Sequence, residues 1–299
     1  MSSKPLVSII TIFWNAETYI QEAIESAIAQ TYEHWELLLV DDGSMDESTN
    51  IALSYARQYP KQIRYLEHPD HQNLGMSATR NLGIRSSKGE YLSFLDADDL
   101  WLSDKLEQQV NILESRPETA FLCSPAKWWY SWSSNVEENQ RDFVQQLGVP
   151  SNSMVQPPTL LLKFLQNEWA SLCDLLVRGS VVEKIGGYET SFQGMYEDQA
   201  FHAKLCLQSE SFVTSQCWYW YRQHPTACTA LTHQAKQWRS ARYTFLNWLE
   251  RYLVQQEFQN TEIWQVLQKE IWPFRHPVLF RVSNRVQSVM KTWQRSKVA

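Results

Sequence analysis

The chain has 299 residues, 43% of them hydrophobic and 20% charged, an ordinary globular composition with material for one large core or two small ones. Its net charge of −6 divides into −12 through Glu270 and +6 beyond it, and so acidic a body excludes a nucleic-acid-binding domain as the expected class. No apolar run reaches 18 residues, which argues against a transmembrane helix.

Leu6 to Phe13 is apolar, β-branched and short, and predicts a strand covered on both faces. The apolar stretch to Trp14 has no small-residue cleavage site after it, so no signal peptide is expected. A helix should follow from about Ala16, with Tyr19, Ile20, Ala23, Ile24, Ala27 and Ile28 in one stripe. Trp35 to Val40 is the next strand, ending on Asp41-Asp42-Gly43-Ser44. A helix from about Glu47 stops at Pro60, Ile63 to Glu67 is a short strand, and Met76 to Ser86 is a helix. Tyr91 to Leu95 is a strand ending on Asp96-Ala97-Asp98-Asp99, followed by a helix from Asp104 to about Ser115 and a strand over Thr119 to Ser124. Lys127 to Pro158 reads as an irregular loop or insertion, and helical periodicity returns from about Gln234, interrupted at Pro273 and Pro277. The fourteen tryptophans read mainly as core, with a sugar platform as the alternative. The five cysteines form no Cys-x-x-Cys pair, which fits buried free thiols in a reducing cytoplasm.

Strands alternating with amphipathic helices predict an α/β fold with a mainly parallel sheet flanked by helices. Ligands in such folds bind beyond the carboxyl ends of the strands, where both acidic clusters fall. Three carboxylates within Asp96 to Asp99 repel one another unless a cation sits among them, and a hard divalent ion bound by oxygen would also hold a diphosphate. The simpler alternative is a helix N-cap before Leu100-Trp101, for which one Asp would suffice. Asp41 and Asp42 could accept from a base or from ribose hydroxyls, or could supply turn chemistry. Arg80, entering a helix after Asn73-Leu74-Gly75, could meet a phosphate or base carbonyl, with a surface salt bridge as the default. Glu197-Asp198 could be catalytic, or first-turn acids complementing a helix dipole.

The order of Val7-Ser8-Ile9-Ile10, Trp14-Asn15, Asp41-Asp42-Gly43-Ser44, Asn73-Leu74-Gly75, Ala78-Thr79-Arg80-Asn81, Asp96-Ala97-Asp98-Asp99, Gly186-Gly187-Tyr188, Glu197-Asp198 and Tyr221-Arg222-Gln223-His224 resembles the family 2 glycosyltransferases of the GT-A fold. The resemblance covers roughly residues 5–230. It implies a catalytic domain over residues 1–230 and inverting transfer from a nucleoside-diphosphate sugar, UDP by the family's habit, to a glycan or lipid-linked acceptor, while the helical periodicity beyond it predicts a helical extension over residues 231–299. It further implies Trp14, Asp41, Asp42, Arg80 and Asp96 around the nucleotide sugar, Asp98 on Mn2+ or Mg2+, His224 as a further ligand of the metal or of the diphosphate, and Asp198 as general base. A nucleotidyltransferase would show a Gly-rich basic loop after the first strand, where this chain has Trp14-Asn15-Ala16-Glu17. An inactive sugar-nucleotide or glycan-binding module is the other alternative, and the joint presence of Asp98, Asp198 and His224 argues against it.

Acceptor contacts are expected from Lys127–Pro158 and from Trp169 to Asp174. The tail carries Val278, Val282, Val286, Val289, Met290 and Trp293 at helical spacing beside Arg281, Arg285, Lys291, Arg295 and Lys297. That pattern fits a basic helix lying in a membrane interface, or one packed on the acidic body.

Overall fold

In a computed structural model that describes residues 4–133, 139–166, 172–192 and 194–280, the expected alternation of strand and helix is present from the start of the chain. β1 (Val7–Phe13) is buried along its whole length, as an apolar, β-branched strand between two helical layers must be. α1 (Ile20–Ile28) buries Ile20, Ala23, Ile24 and Ala27, four members of the expected stripe, although its first turn lies four residues later than Ala16. β2 (Trp35–Asp41) is again buried throughout, and α2 (Ser48–Gln58) and β3 (Ile63–Glu67) follow. α3 (Met76–Ser86) lies so close to β1 that a Cβ on Gly83 would stand 2.6 Å from Ile10 Cγ2. β4 (Tyr91–Phe94) completes a parallel half in which β1 sits between β2 and β4, with β3 outside β2.

What comes next was foretold only for the helix after Asp104 and the strand within Thr119 to Ser124. Leu100–Trp101 is not the first turn of a helix but the short strand β5, and α4 (Lys105–Glu114) begins only afterwards. β6 (Phe121–Ser124) is followed by β7 (Ala126–Trp129), β8 (Phe143–Val144) and β9 (Ser153–Val155), so the segment expected to be irregular contains three strands. After α5 (Thr159–Leu165), β10 (Asp174–Arg178) inserts between β4 and β6 and runs antiparallel to both. α6 (Gly179–Ile185), α7 (Glu197–Gln208), β11 (Ser211–Val213), β12 (Tyr219–Arg222) and α8 (Cys228–Gln234) close this unit. The main sheet has the order β3-β2-β1-β4-β10-β6-β11-β9, and a second sheet has the order β5-β12-β7-β8.

A buried cation holds β10 in place. The Lys105 Nζ lies 3.2 Å from Asp174 Oδ1, 3.0 Å from Ser93 Oγ and 3.8 Å from the centroid of the Trp101 ring. Burial lowers the Lys105 pKa, while Asp174 opposes the shift. Removing either partner would strand the other charge in the core.

The chain divides into two units at 237/238, seven residues beyond the expected break at 230. In the second unit α9 (Trp238–Gln255) and α10 (Glu262–Arg275) run antiparallel, with Tyr243 stacked on Phe274 and Gln268 donating to Glu250. Phe245, Leu249, Ile263, Leu267 and Ile271 are buried there. Among the described residues no helix is long and apolar enough to cross a membrane. The tail beyond residue 280 and the first half of the Trp169–Asp174 segment lie outside the described residues.

Candidate active site

The loops after β1, β2 and β3 are bound to one another, and Asp41 and Asp42 hold them together. Asp41 is wholly buried and accepts from Ser44 N at 2.8 Å, from Tyr65 OH at 3.2 Å and from the Thr49 hydroxyl. Asp42 accepts from Leu74 N at 2.8 Å, Gly75 N at 3.1 Å and Thr79 Oγ1 at 2.9 Å. Gly43 takes φ +76°, and a Cβ there would stand 2.7 Å from His71 O, so only glycine fits. Turn chemistry, one of the two alternatives for these acids, is what their hydrogen bonds perform. Asp41, expected beside the base, has no exposed surface with which to touch a ligand, a correction that follows from its three internal donors. Trp14 stands at the rim of these loops, 57% exposed, and the core alternative for this ring is removed.

The Asp96–Asp99 loop divides its three carboxylates. Asp99 is fully buried and accepts from Tyr219 OH at 2.8 Å and from Arg222 N at 2.7 Å. Burial, with Asp98 and Asp96 close by, pushes its carboxyl well above the usual range. It is a strut between the loop and β12. Asp96 and Asp98 keep exposed side-chain surface, 44% and 31%. Because Leu100 and Trp101 form a strand, the N-cap explanation for this cluster is gone.

Arg80 is no surface salt bridge. It is buried, pairs with Glu197 through Nη1 and with Asp96 Oδ1 through Nη2 at 2.7 Å, and lies over the Tyr188 ring at 5.3 Å. Burial works against its charge, but Glu197 and Asp96 outweigh it and raise the pKa further. Arg80 therefore joins the loop after β4 to the first turn of α7.

That first turn begins with Tyr196 at φ +77°, then Glu197 and Asp198. Burial raises the Glu197 carboxyl to about 8 against the pull of Arg80, and its Oε2 is buried without a hydrogen-bond partner among the described residues. Asp198 accepts from Gln199 N at 2.7 Å, and burial raises its pKa as well. A carboxylate with a raised pKa is a stronger base, and in the first turn of a helix it sits where a carboxylate is tolerated. His202, one turn on, is pushed down to about 3 by burial.

On the other side of Asp98 stands His224. Its Nε2 lies 2.9 Å from Asp98 Oδ2, and its Nδ1 pairs with Thr226 Oγ1 at 2.8 Å. The ring rests against Tyr19 at 4.5 Å between centroids. An imidazole nitrogen facing a carboxylate is a donor set for a divalent metal, with nitrogen favouring Mn2+ over Mg2+. Among the described residues no group of three His, Cys, Asp or Glu side chains could hold an ion alone, so an ion placed here would have these two protein ligands and would need phosphate oxygens and water to complete its shell. The residues fit such an ion on those terms.

Asp96 is thus tied through Arg80 to the turn that bears Asp198, and Asp98 pairs with His224, while Asp41 and Asp42 support the neighbouring loops. Sequence reading gave no role at the site to Tyr219, Arg222, Tyr19 or Trp132, whose partners lie far away along the chain.

A family model described as glycosyl transferase family 2 matches residues 8–159. A relative named for teichuronic acid biosynthesis, the glycosyltransferase TuaG of Bacillus subtilis (strain 168), is 39% identical over 114 residues, covering 38% of this chain and 44% of its own length. An uncharacterised glycosyltransferase of Rickettsia felis is 48% identical over 111 residues, 36% of this chain and 17% of its own. The match thus spans less than half the length of either curated relative. Among solved structures, S. aureus TarS 1-349 in complex with UDP superimposes with a TM-score of 0.62 at 19% identity, covering 90% of this chain and 71% of that one. The mannosyltransferase PcManGT from Pyrobaculum calidifontis, in complex with GDP-Man and Mn2+, gives 0.57 at 15% identity over 98% of this chain and 84% of that one. At such identities the likeness is one of fold, the α/β architecture of GT-A glycosyltransferases.

Proposed function

Since the chain belongs to glycosyl transferase family 2, we propose that it moves a sugar from a nucleoside-diphosphate sugar to a hydroxyl acceptor with inversion, using a divalent cation held by Asp98 and His224. The observation that carries this is the pairing of Asp98 with His224 on the same loop whose Asp96 is tied through Arg80 to the helical turn bearing Asp198. Trp14 offers an open ring for a base, and Asp96 and Arg80 border the donor. Asp42 serves the donor by fixing the loops around it. A bound cation would neutralise the negative charge that grows on the leaving diphosphate. Asp198 takes the proton from the acceptor hydroxyl as that oxygen attacks the anomeric carbon from the opposite face. A single displacement inverts the configuration.

UDP is the nucleotide we assign, supported by the TarS complexes with UDP and UDP-GlcNAc, with GDP, as in PcManGT, the alternative. The name of TuaG supports a cell-surface polysaccharide as the product. We assign catalysis to residues 1–230 and an accessory role to the helical remainder. Val278 and Leu279 are 69% and 59% exposed, and the basic sequence after them supports contact with anionic lipid.

The test is a thermal-shift and donor-hydrolysis screen of UDP, GDP and dTDP sugars with Mn2+, Mg2+ or EDTA. Stabilisation and slow hydrolysis by one UDP-sugar, abolished by EDTA, are expected. Metal-independent turnover would reject the cation, and binding without hydrolysis or transfer would indicate a binding module. Co-sedimentation with phosphatidylglycerol vesicles, lost in a chain ending at Ile271, is expected for the lipid contact, and full-length protein left in the supernatant would reject it.

A further inference from the structure

Tyr221-Arg222-Gln223-His224 supplies a metal ligand at its last position, yet its most buried charge is Arg222, 3% exposed. The guanidinium is boxed by three rings, with centroid distances of 4.6 Å to Trp129 and 5.2 Å to both Tyr19 and Trp132. Its Nε donates to the backbone carbonyl of Asp98 at 2.7 Å, and its Nη2 pairs with Glu22 on α1. The backbone N–H of the same residue donates to the Asp99 carboxylate at 2.7 Å. Both the main chain of Asp98 and the carboxylate next to it are therefore held by one residue, two positions before His224. Tyr19 and Trp132, two rings of the box, also pack against the His224 ring, at 4.5 and 6.5 Å between centroids.

A buried guanidinium beside a cation site needs a reason, because its charge opposes the ion. It needs compensation too, which the ring faces and Glu22 provide. We infer that Arg222 is a positioning residue for the divalent cation: it fixes the main chain of Asp98 and, with the rings it shares, the plane of His224, so that both ligands are oriented before the ion arrives. Glu22 cancels the charge that Arg222 would otherwise set against the ion. This rests on Asp98 and His224 holding the cation. Residues behind metal ligands act in this way by orienting them, and their loss commonly costs about 10- to 100-fold in metal affinity. Lysine cannot replace arginine here, since a single ammonium on a flexible stem cannot lie flat between rings and donate in two fixed directions.

The experiment is a titration of the full chain with Mn2+ in the presence of UDP, followed by electron paramagnetic resonance, on wild type, Asp98→Asn, Arg222→Lys and Glu22→Gln. UDP affinity in EDTA and circular dichroism are measured alongside. Arg222→Lys is expected to lose about 10- to 100-fold in Mn2+ affinity with metal-free UDP binding unchanged. Glu22 is 55% exposed, so its substitution spares the fold, and Glu22→Gln should lose about two- to fivefold. If Asp98→Asn leaves Mn2+ affinity intact, the cation site itself is misassigned. If Asp98→Asn weakens it but folded Arg222→Lys does not, only the positioning role is overturned. Should Arg222→Lys fail to fold, unchanged Mn2+ affinity in Glu22→Gln overturns it instead.

Discussion

The loops that end β2 and β4 look alike in sequence, each a run of aspartates after an apolar strand, and their carboxylates meet different surroundings. β1 lies between the two strands, so both loops open on the same edge of the sheet. After β2 every carboxylate is saturated by the chain itself: Asp41 and Asp42 each take three donors from neighbouring loops. After β4 only Asp99 is used that way, while Asp96 and Asp98 keep exposed oxygens and face one cationic and one ambivalent partner, Arg80 and His224. What separates the two clusters is the supply of internal donors, hydroxyls as well as N–H groups, and not the number of carboxylates.

The largest effect should come from the turn of α7 that faces the second loop. Asp198→Asn keeps the shape and removes the basicity, and transfer should fall by about 10²–10⁴-fold with donor binding nearly unchanged, measured with an authentic acceptor and by calorimetry. Near-normal turnover would falsify the assignment of Asp198 as base. The contrast between the loops predicts the next two results. Asp42→Ala leaves two backbone N–H groups and the Thr79 hydroxyl without their acceptor, and urea denaturation should show a loss of about 2–4 kcal/mol. Asp98→Ala should change stability by under about 0.5 kcal/mol and weaken Mn2+-dependent UDP binding by about 10- to 100-fold. Equal stability losses in the two variants would erase the distinction.

Glu197 sharpens the same contrast through pH. Its carboxyl is raised from 4.5 to about 8, so the folded chain binds that proton more tightly than the unfolded chain. The stability it contributes is therefore full below about pH 4.5 and is lost as pH rises through about 8. Glu197→Gln should flatten this decline in denaturation curves taken at pH 5 to 8.5. An unchanged slope would show that Arg80 keeps Glu197 ionised throughout.

How much was legible in the sequence follows from how local each feature is. β1, β2, β3, α3 and β4 could be read because their burial is written in continuous apolar runs or in helical spacing. β5 and β8 escaped because strands of two residues carry no period, and β10 because nothing local announces that it will enter the sheet in the opposite direction. The aspartates, Arg80 and His224 were nameable through the order of their motifs. Their division of labour was not, since Asp99 is bound to β12 and Arg80 to Glu197, more than a hundred residues away in each case. Lys105 was missed for the same reason, its partner Asp174 being on a strand that sequence did not place.

The smallest effect on the fold, and the most specific on binding, concerns Trp14 at the rim of the first loop. Its ring is 57% exposed, so Trp14→Ala should leave the denaturation midpoint within the ordinary range for a surface change, about 0.5 kcal/mol. The residue after it, Asn15, takes φ +50° and accepts from Met45 N at 2.8 Å, so the backbone that carries the ring is fixed even though the ring is open. A fixed backbone with an exposed indole suits stacking on a base, which is worth about 1–3 kcal/mol per ring in single-stranded nucleic-acid complexes. UDP binding by Trp14→Ala should weaken within that range, and Trp14→Phe should restore much of it because stacking needs only an aromatic face. If alanine and phenylalanine bind UDP as wild type does, the ring serves the acceptor or another partner, and the rigid first loop holds the donor through its backbone alone.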